Sequence, residues 1–162
     1  MTIRLRICGV LALVACAPHP GLAPAPAAPS PSTSEDQRAI AAMVDRFRAA
    51  MAAHDGPALL GLMLGPDVPF QSVLATPVAP RRSTAGDFAA LVAQPANAWE
   101  EKFSDVQITS DGALGVLDAR YEFYSAGQLG NSGREVWVLL RTPDGWKITS
   151  VTWSIRLPPR AP

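Results

Sequence analysis

The chain has 162 residues, 14 basic and 14 acidic side chains, and a hydrophobic share of 48%. That is room for one domain. A formal charge of zero without a segregated basic face excludes nucleic-acid binding through a basic surface, and 17% charged residues against that apolar content excludes disorder throughout.

The chain opens as a targeting signal. Arg4 and Arg6 supply a positive start, and Ile7 to Val14 is an apolar run too short to span a bilayer as a mature helix. It ends in Leu13-Val14-Ala15-Cys16, which resembles a bacterial lipobox. That pattern needs a small residue before the cut and a thiol after it, and it would make Cys16 the lipid-attachment site. The alternative is an ordinary cleavage site, because Ala15-Cys16-Ala17 also fits the small-x-small rule. The expected divisions are a signal at 1–15, a lipid-attachment cysteine and tether at 16–33, a folded body at 34–157 and a tail at 158–162. Cys8 leaves with the signal, so no cysteine pair remains for an intramolecular disulfide. Losing Arg4 and Arg6 leaves 12 basic against 14 acidic side chains, with no charged block.

Residues Ala17 to Thr33 are rich in Ala, Pro and Ser and carry no Asp, Glu, Lys or Arg. Such a segment buries too little surface to fold and reads as an extended tether. At ~3.1 Å per residue it reaches ~50 Å, a spacing suited to a lipid anchor and a globular body. The expected location is the bacterial cell envelope, lipid-anchored at the outer membrane or the periplasmic face. The alternative is a secreted or periplasmic soluble protein.

The body opens with Ser34-Glu35-Asp36-Gln37, a capping-box pattern, followed by an amphipathic helix with Ile40, Met43, Val44, Phe47 and Met51 on one face. Gly56 and Pro57 are expected to stop it. Asp55 suits the cap of a short second helix carrying Leu59, Leu60, Leu62 and Met63, ended by Gly65-Pro66. Val68 to Thr76 reads as a strand, with Pro69 marking an edge or a strand start. Pro77, Pro80 and Ser83 read as a loop. A third helix is expected at about Thr84 to Ala93, with Phe88, Leu91 and Val92 inward.

After Pro95 the period changes to two. Four strands are expected at Ala98–Ile108, Ala113–Ser125, Arg134–Arg141 and Trp146–Arg156. Asp111-Gly112, the Gly127 to Gly133 segment and Thr142-Pro143-Asp144-Gly145 separate them. Short connections with turn chemistry make an antiparallel meander. Helices early and strands late give an α+β domain with helices on one face of a bent sheet.

The order of features is then specific. Phe47 and the His54-Asp55 break come first, and Asp111-Gly112-Ala113 leads a long strand. The end reads Gly133-Arg134-Glu135-Val136-Trp137-Val138-Leu139-Leu140-Arg141, then Asp144-Gly145-Trp146-Lys147-Ile148, then Val151-Thr152-Trp153-Ser154. From about Glu35 to Arg156 this is similar to the nuclear transport factor 2-like superfamily, and within it to the SnoaL-like bacterial members. The resemblance implies a cone: three helices against a strongly curved, mostly antiparallel sheet, with a cavity open at one end. It also implies a homodimer through the sheet. The apolar run Val136 to Leu140, which supplies both faces, points the same way. Relatives of this fold include isomerases, dehydratases, cyclases, epoxide hydrolases, transport adaptors and assembly domains, so the fold leaves function open.

Several chemistries lack their residues. The processed chain has His19 in the tether and His54 at a helix end, with no ligand cluster for a metal. No nucleophile elbow is present, no reactive thiol remains, and no cofactor is implied. Gly127, Gly130 and Gly133 lie between strands rather than before a helix, so they do not cradle a phosphate. Asp118, Arg120 and Glu122 alternate along one strand and share a face. Pointing inward, they resemble the water-activating set of the epoxide-hydrolase relatives. Leu117, Ala119, Tyr121 and Phe123 alternate with them, however. That apolar row is expected to face the helices, leaving the charged row outside as an ion-pair ladder. Tyr121 is a candidate oxyanion donor and His54 a candidate base, with a helix-end cap as its plainer reading. Asp105 falls where the strand's parity breaks, so its direction is ambiguous.

The rings are the remaining signal. Phe47, Trp99, Phe103 and Tyr121, with Phe123, Trp137 and Trp153, are expected to line the cone's cavity and to suit a hydrophobic small molecule, the alternative being a cavity collapsed and filled by these rings with no ligand. The reading is an envelope-anchored module that binds a small molecule or a protein, with no catalysis visible in the sequence. The alternative is an isomerase, dehydratase or epoxide-hydrolase type of enzyme using carboxylate acid–base chemistry. An inward carboxylate or His with a hydrogen-bond partner would favour the enzyme. A lining of rings and aliphatic groups alone would favour binding.

Overall fold

The computed structural model describes residues 34–96 and 98–159. The signal, Cys16 and the tether lie outside the described residues. Helix α1 (Ser34–Ala52) buries Ile40, Met43, Val44, Phe47 and Met51, the face its 3.6-residue spacing sets. Gln37 does not close a box with Ser34; its Nε2 donates to Ile108 O at 3.4 Å. Arg141 pairs with buried Asp36 in the first turn of α1 and lies over the Trp146 ring at 5.0 Å. The helix ends at Ala52, before Gly56, and His54 just beyond it takes φ 55°, which prevents the ladder from continuing. Gly56 opens the next helix, α2 (Gly56–Leu60), whose Asp55 cap accepts from Ala58 N at 2.8 Å. Gly56 is a close-approach residue: a Cβ there would stand 2.6 Å from Ala89 O.

Strand β1 (Pro69–Ala75) starts at its proline and is not an edge, because another strand pairs with it on each side. The expected loop at Pro77–Ser83 is instead strand β2 (Val78–Thr84), antiparallel to β1. Pro80 is tolerated because β2 is the sheet's edge, where a missing N–H breaks no second ladder. Thr84 caps α3 (Ala85–Val92) through a capping box with Asp87. Phe88 and Val92 face inward, but Leu91 is 45% exposed; the buried stripe runs through Ala85, Ala89 and Val92.

Strands β3 (Trp99–Ser110), β4 (Leu114–Ser125), β5 (Gln128–Thr142) and β6 (Gly145–Ile155) form the antiparallel meander. The Gly127–Gly133 segment is mostly strand: Ala126 and Gly127, both at positive φ, make a two-residue turn, and β5 begins at Gln128. Gly133 is required where β6 crosses, since a Cβ would lie 1.9 Å from Ser154 O. Strand β1 joins β6 in parallel, so the order is β2-β1-β6-β5-β4-β3. Register shifts between Ser104 and Gln107, and between Val138 and Leu139, are the irregularities that bend such a sheet.

The core sits between the helices and the concave face. Phe47, Phe70, Trp137, Leu139 and Ile148 are almost fully buried, and each contributes roughly 1.5–3 kcal/mol of transfer energy. Phe88 is the hub of the ring packing, with centroids 5.2 Å from Phe70, 6.1 Å from Trp99 and 6.2 Å from Phe47. Rings occupy much of the space between the concave face and the helices.

Candidate functional site

The concave face follows strict alternation. On β4 it carries Leu117, Ala119, Tyr121 and Phe123, and on β5 it carries Glu135, Trp137 and Leu139. On β3 it carries Trp99, Glu101 and Phe103 until the bulge. There Asp105 takes φ 52° and the inward parity moves to Ile108. The bulge resolves the direction of Asp105: its side chain is exposed and forms an ion pair with Arg120, Nε 3.1 Å from Oδ2.

Between this face and Phe47, Phe70 and Phe88 lies a cavity of about 220 Å³. Tyr121, Phe123, Trp153, Val151 and Ile155 complete its apolar wall, and Ser72, Arg81, Asn131, Glu101 and Glu135 its polar part. Of the rings expected there, Phe47, Tyr121, Phe123 and Trp153 line it. Trp99, Phe103 and Trp137 pack behind: Phe103 and Trp137 lie against Phe47, and Trp99 against Phe88 and Phe123.

Two carboxyls stand in this wall. Glu101 is 6% exposed and Glu135 4%. Burial first, and the neighbouring charge of Glu135 second, push the Glu101 carboxyl well above the usual carboxylate range. Burial lifts Glu135 to about 7, opposed by a hydrogen bond from Trp137 Nε1 at 2.5 Å. Two carboxyls whose charges oppose each other do not both ionise readily. The indole N–H favours the charged form of Glu135, while no donor among the described residues reaches the Glu101 carboxyl. Of the two, Glu101 is therefore the carboxyl held protonated more firmly.

Tyr121 has its hydroxyl 2.7 Å from Asn131 Oδ1 and 2.9 Å from Ser154 O. Its single hydrogen is committed to these acceptors. Burial, then the charges of Glu135 and Glu101, push its phenol upward, so it stays neutral.

The Asp118, Arg120 and Glu122 row lies on the convex face. Arg134 Nε donates to Asp118 Oδ1 at 2.7 Å and holds that carboxyl below the usual range. Tyr124 donates to Glu122 Oε2 at 2.9 Å. None of the three lines the cavity. His54 does not line it either; its Nδ1 is 3.3 Å from Val92 O at the junction of the helices. Among the described residues no group of three or more His, Cys, Asp or Glu is placed to hold a metal.

Sequence reasoning passed over Glu101 and Glu135. The signal was present: Glu101 lies two residues from both Trp99 and Phe103, and Glu135 two from Trp137, so each acid shares the parity of a buried ring.

A curved α+β shell with an off-centre cavity under its helices is the architecture of nuclear transport factor 2-like proteins. The chain belongs to the SnoaL-like domain family, whose pattern matches residues 40–158. Solved structures agree on the fold. An NTF2-like protein with a cystatin-like fold from Novosphingobium aromaticivorans is 19% identical with a TM-score of 0.60, over 75% of this chain and 82% of that one. A protein from Streptomyces avermitilis, provisionally named a dehydratase of the NTF2-like family, is 22% identical with a TM-score of 0.59, over 76% and 98%. A protein from Novosphingobium aromaticivorans, provisionally named an aromatic ring hydroxylase, is 21% identical with a TM-score of 0.60, over 78% and 93%. At these identities the likeness establishes the fold alone. No curated protein matches the chain.

Proposed function

We propose that the cavity binds a small, largely apolar molecule and moves a proton on it, with Glu135 as base and Glu101 as the neutral acid. The observation that carries this is the burial of two carboxyls in the wall of one ring-lined cavity, a destabilising arrangement of the kind found where acid–base chemistry is done. Ionised Glu135 would take a proton from carbon beside a ligand carbonyl. Neutral Glu101 would donate a hydrogen bond to the oxygen on which charge develops. Returning the proton elsewhere shifts a double bond; delivering it to a β-hydroxyl expels water. Both are acid–base reactions that need no cofactor.

Noncatalytic capture of the same ligand is the second reading. The commitment of Tyr121 to Asn131 and Ser154 favours it, because the phenol is then not available as a second oxyanion donor. Proton exchange separates the two. A panel of single-ring ketones and β-hydroxy ketones is incubated in D2O with the protein and followed by NMR. Deuterium should enter at the carbon beside the carbonyl faster than in buffer, and Glu135→Gln should abolish the excess. Saturable binding of a panel member without exchange would leave capture as the function.

The leader supports lipid attachment at Cys16 and an envelope location. Among the described residues no helix is long and apolar enough to cross a membrane, so attachment would rest on that anchor. Metabolic labelling with a palmitate analogue, lost in Cys16→Ser, tests it. Half-buried Val136 and Val138 on the convex face support a homodimer through the sheet, which light scattering would report.

A further inference from the structure

We infer that the cavity's preferred ligand is an organic cation, an amine carried on a single small ring, whose ammonium group sits at Glu101. This rests on the reading of the cavity as a ligand site but not on turnover there.

Glu101 lines the cavity and is more than nine-tenths buried; Arg48 Nε donates to its backbone carbonyl at 2.9 Å, but no described residue donates to its carboxyl. Its carboxyl oxygens open onto the cavity, where a bound donor could reach acceptor positions that no described side chain fills. The surroundings of Glu101 are aromatic: it pairs across the sheet with Phe123, and Trp99 and Phe103 flank it two residues away on the same face. Ring faces attract cations, most strongly where water is excluded. Glu135 adds a second acceptor whose one donor here is the Trp137 indole. Among the described residues the cation in the lining is Arg81, exposed on the edge strand β2 and therefore at the rim. The inner wall thus gathers ring faces and two carboxyls without a buried counter-charge, and a cation seated beside Glu101 favours release of its proton to solvent. An ammonium supplies three donors and the missing positive charge together. A neutral ring of equal size supplies neither. The volume, about 220 Å³, is about seven water volumes, enough for one ring with a short substituent.

The test compares benzylamine with benzyl alcohol by calorimetry at pH 7.5. Benzylamine should bind at least about tenfold more tightly, the smaller end of what a hydrogen bond to a charged group contributes. Glu101→Gln should remove that preference and leave the alcohol's affinity within about threefold, a pattern that general damage to the cavity would not produce. In the unsubstituted protein, benzylamine should also shift the indole N–H signal of Trp153, which needs no variant to interpret. Equal affinity for the two probes, tighter binding of the alcohol, or an amine affinity indifferent to Glu101→Gln would overturn the inference. Should ring ketones exchange deuterium while benzylamine shows no preference, the cation assignment fails and the proton-transfer reading survives. Amine preference without exchange would uphold the cation assignment and overturn proton transfer.

Discussion

Replacing Glu135 with Gln should make the protein more stable at neutral pH, and the gain should vanish in acid. In the unfolded chain Glu135 titrates near 4.5; in the folded protein burial lifts it to about 7. Between those values the folded state holds a proton that the unfolded state has released. Stability then falls as pH rises through the window. A separation of about 2.5 pH units at about 1.36 kcal/mol each corresponds to about 3 kcal/mol, fully felt above pH 7 and absent below pH 4.5. Gln keeps the shape and an oxygen for the Trp137 indole but cannot ionise. Relative to the parent, the variant should be near neutral at pH 4.5 and more stable by up to about 3 kcal/mol at pH 8. Glu101 is raised partly by the charge of Glu135, so it relaxes in the variant and retains some of the pH slope. Glu101→Gln combined with Glu135→Gln should remove the remainder. Urea unfolding at pH 4.5, 6 and 8 measures this, with the slope against denaturant checked for constancy. Parallel profiles for parent and variant would mean that Glu135 ionises normally, and the argument for a proton-handling cavity would fall with it.

Trp137→Phe removes the one hydrogen bond that opposes the burial of Glu135, so the Glu135 carboxyl should titrate still higher, as read by carboxyl carbon NMR. Gly133→Ala forces a methyl group into Ser154 O and should cost about 3 kcal/mol or prevent folding, as seen in urea midpoints. Arg134→Ala deletes an exposed partner of Asp118 on the convex face; unfolding midpoints should stay within replicate scatter, and deuterium exchange on ring ketones should be unchanged. Thr84→Ala breaks the capping box that starts α3 and should cost about 1 kcal/mol, again by urea unfolding.

Much of the fold was legible because its signals are local. Asp55 and Thr84 announce helix starts through oxygens that meet orphan amides a turn later. Alternation along Leu114–Ser125 separates Tyr121 and Phe123 from Asp118 and Glu122, and the meander follows from short turns. The convex placement of Asp118, Arg120 and Glu122 likewise follows from parity once their neighbours are apolar.

Other features needed the assembled chain. Pro80 looks like a breaker until β2 is seen at the sheet's edge, where no neighbour misses its N–H. Gly56 resembles a helix stop until α3 comes within 2.6 Å of where its Cβ would be. Glu101 and Glu135 share the parity of buried rings, but parity names a face and not what covers it. The bulge at Asp105 sets the inward parity of β3, and the cavity left under the helices places two inward acids in one apolar wall, where burial raises both. Which side chains a strand turns inward is set over two residues; whether space, water or a neighbouring charge awaits them is set by segments up to a hundred residues apart.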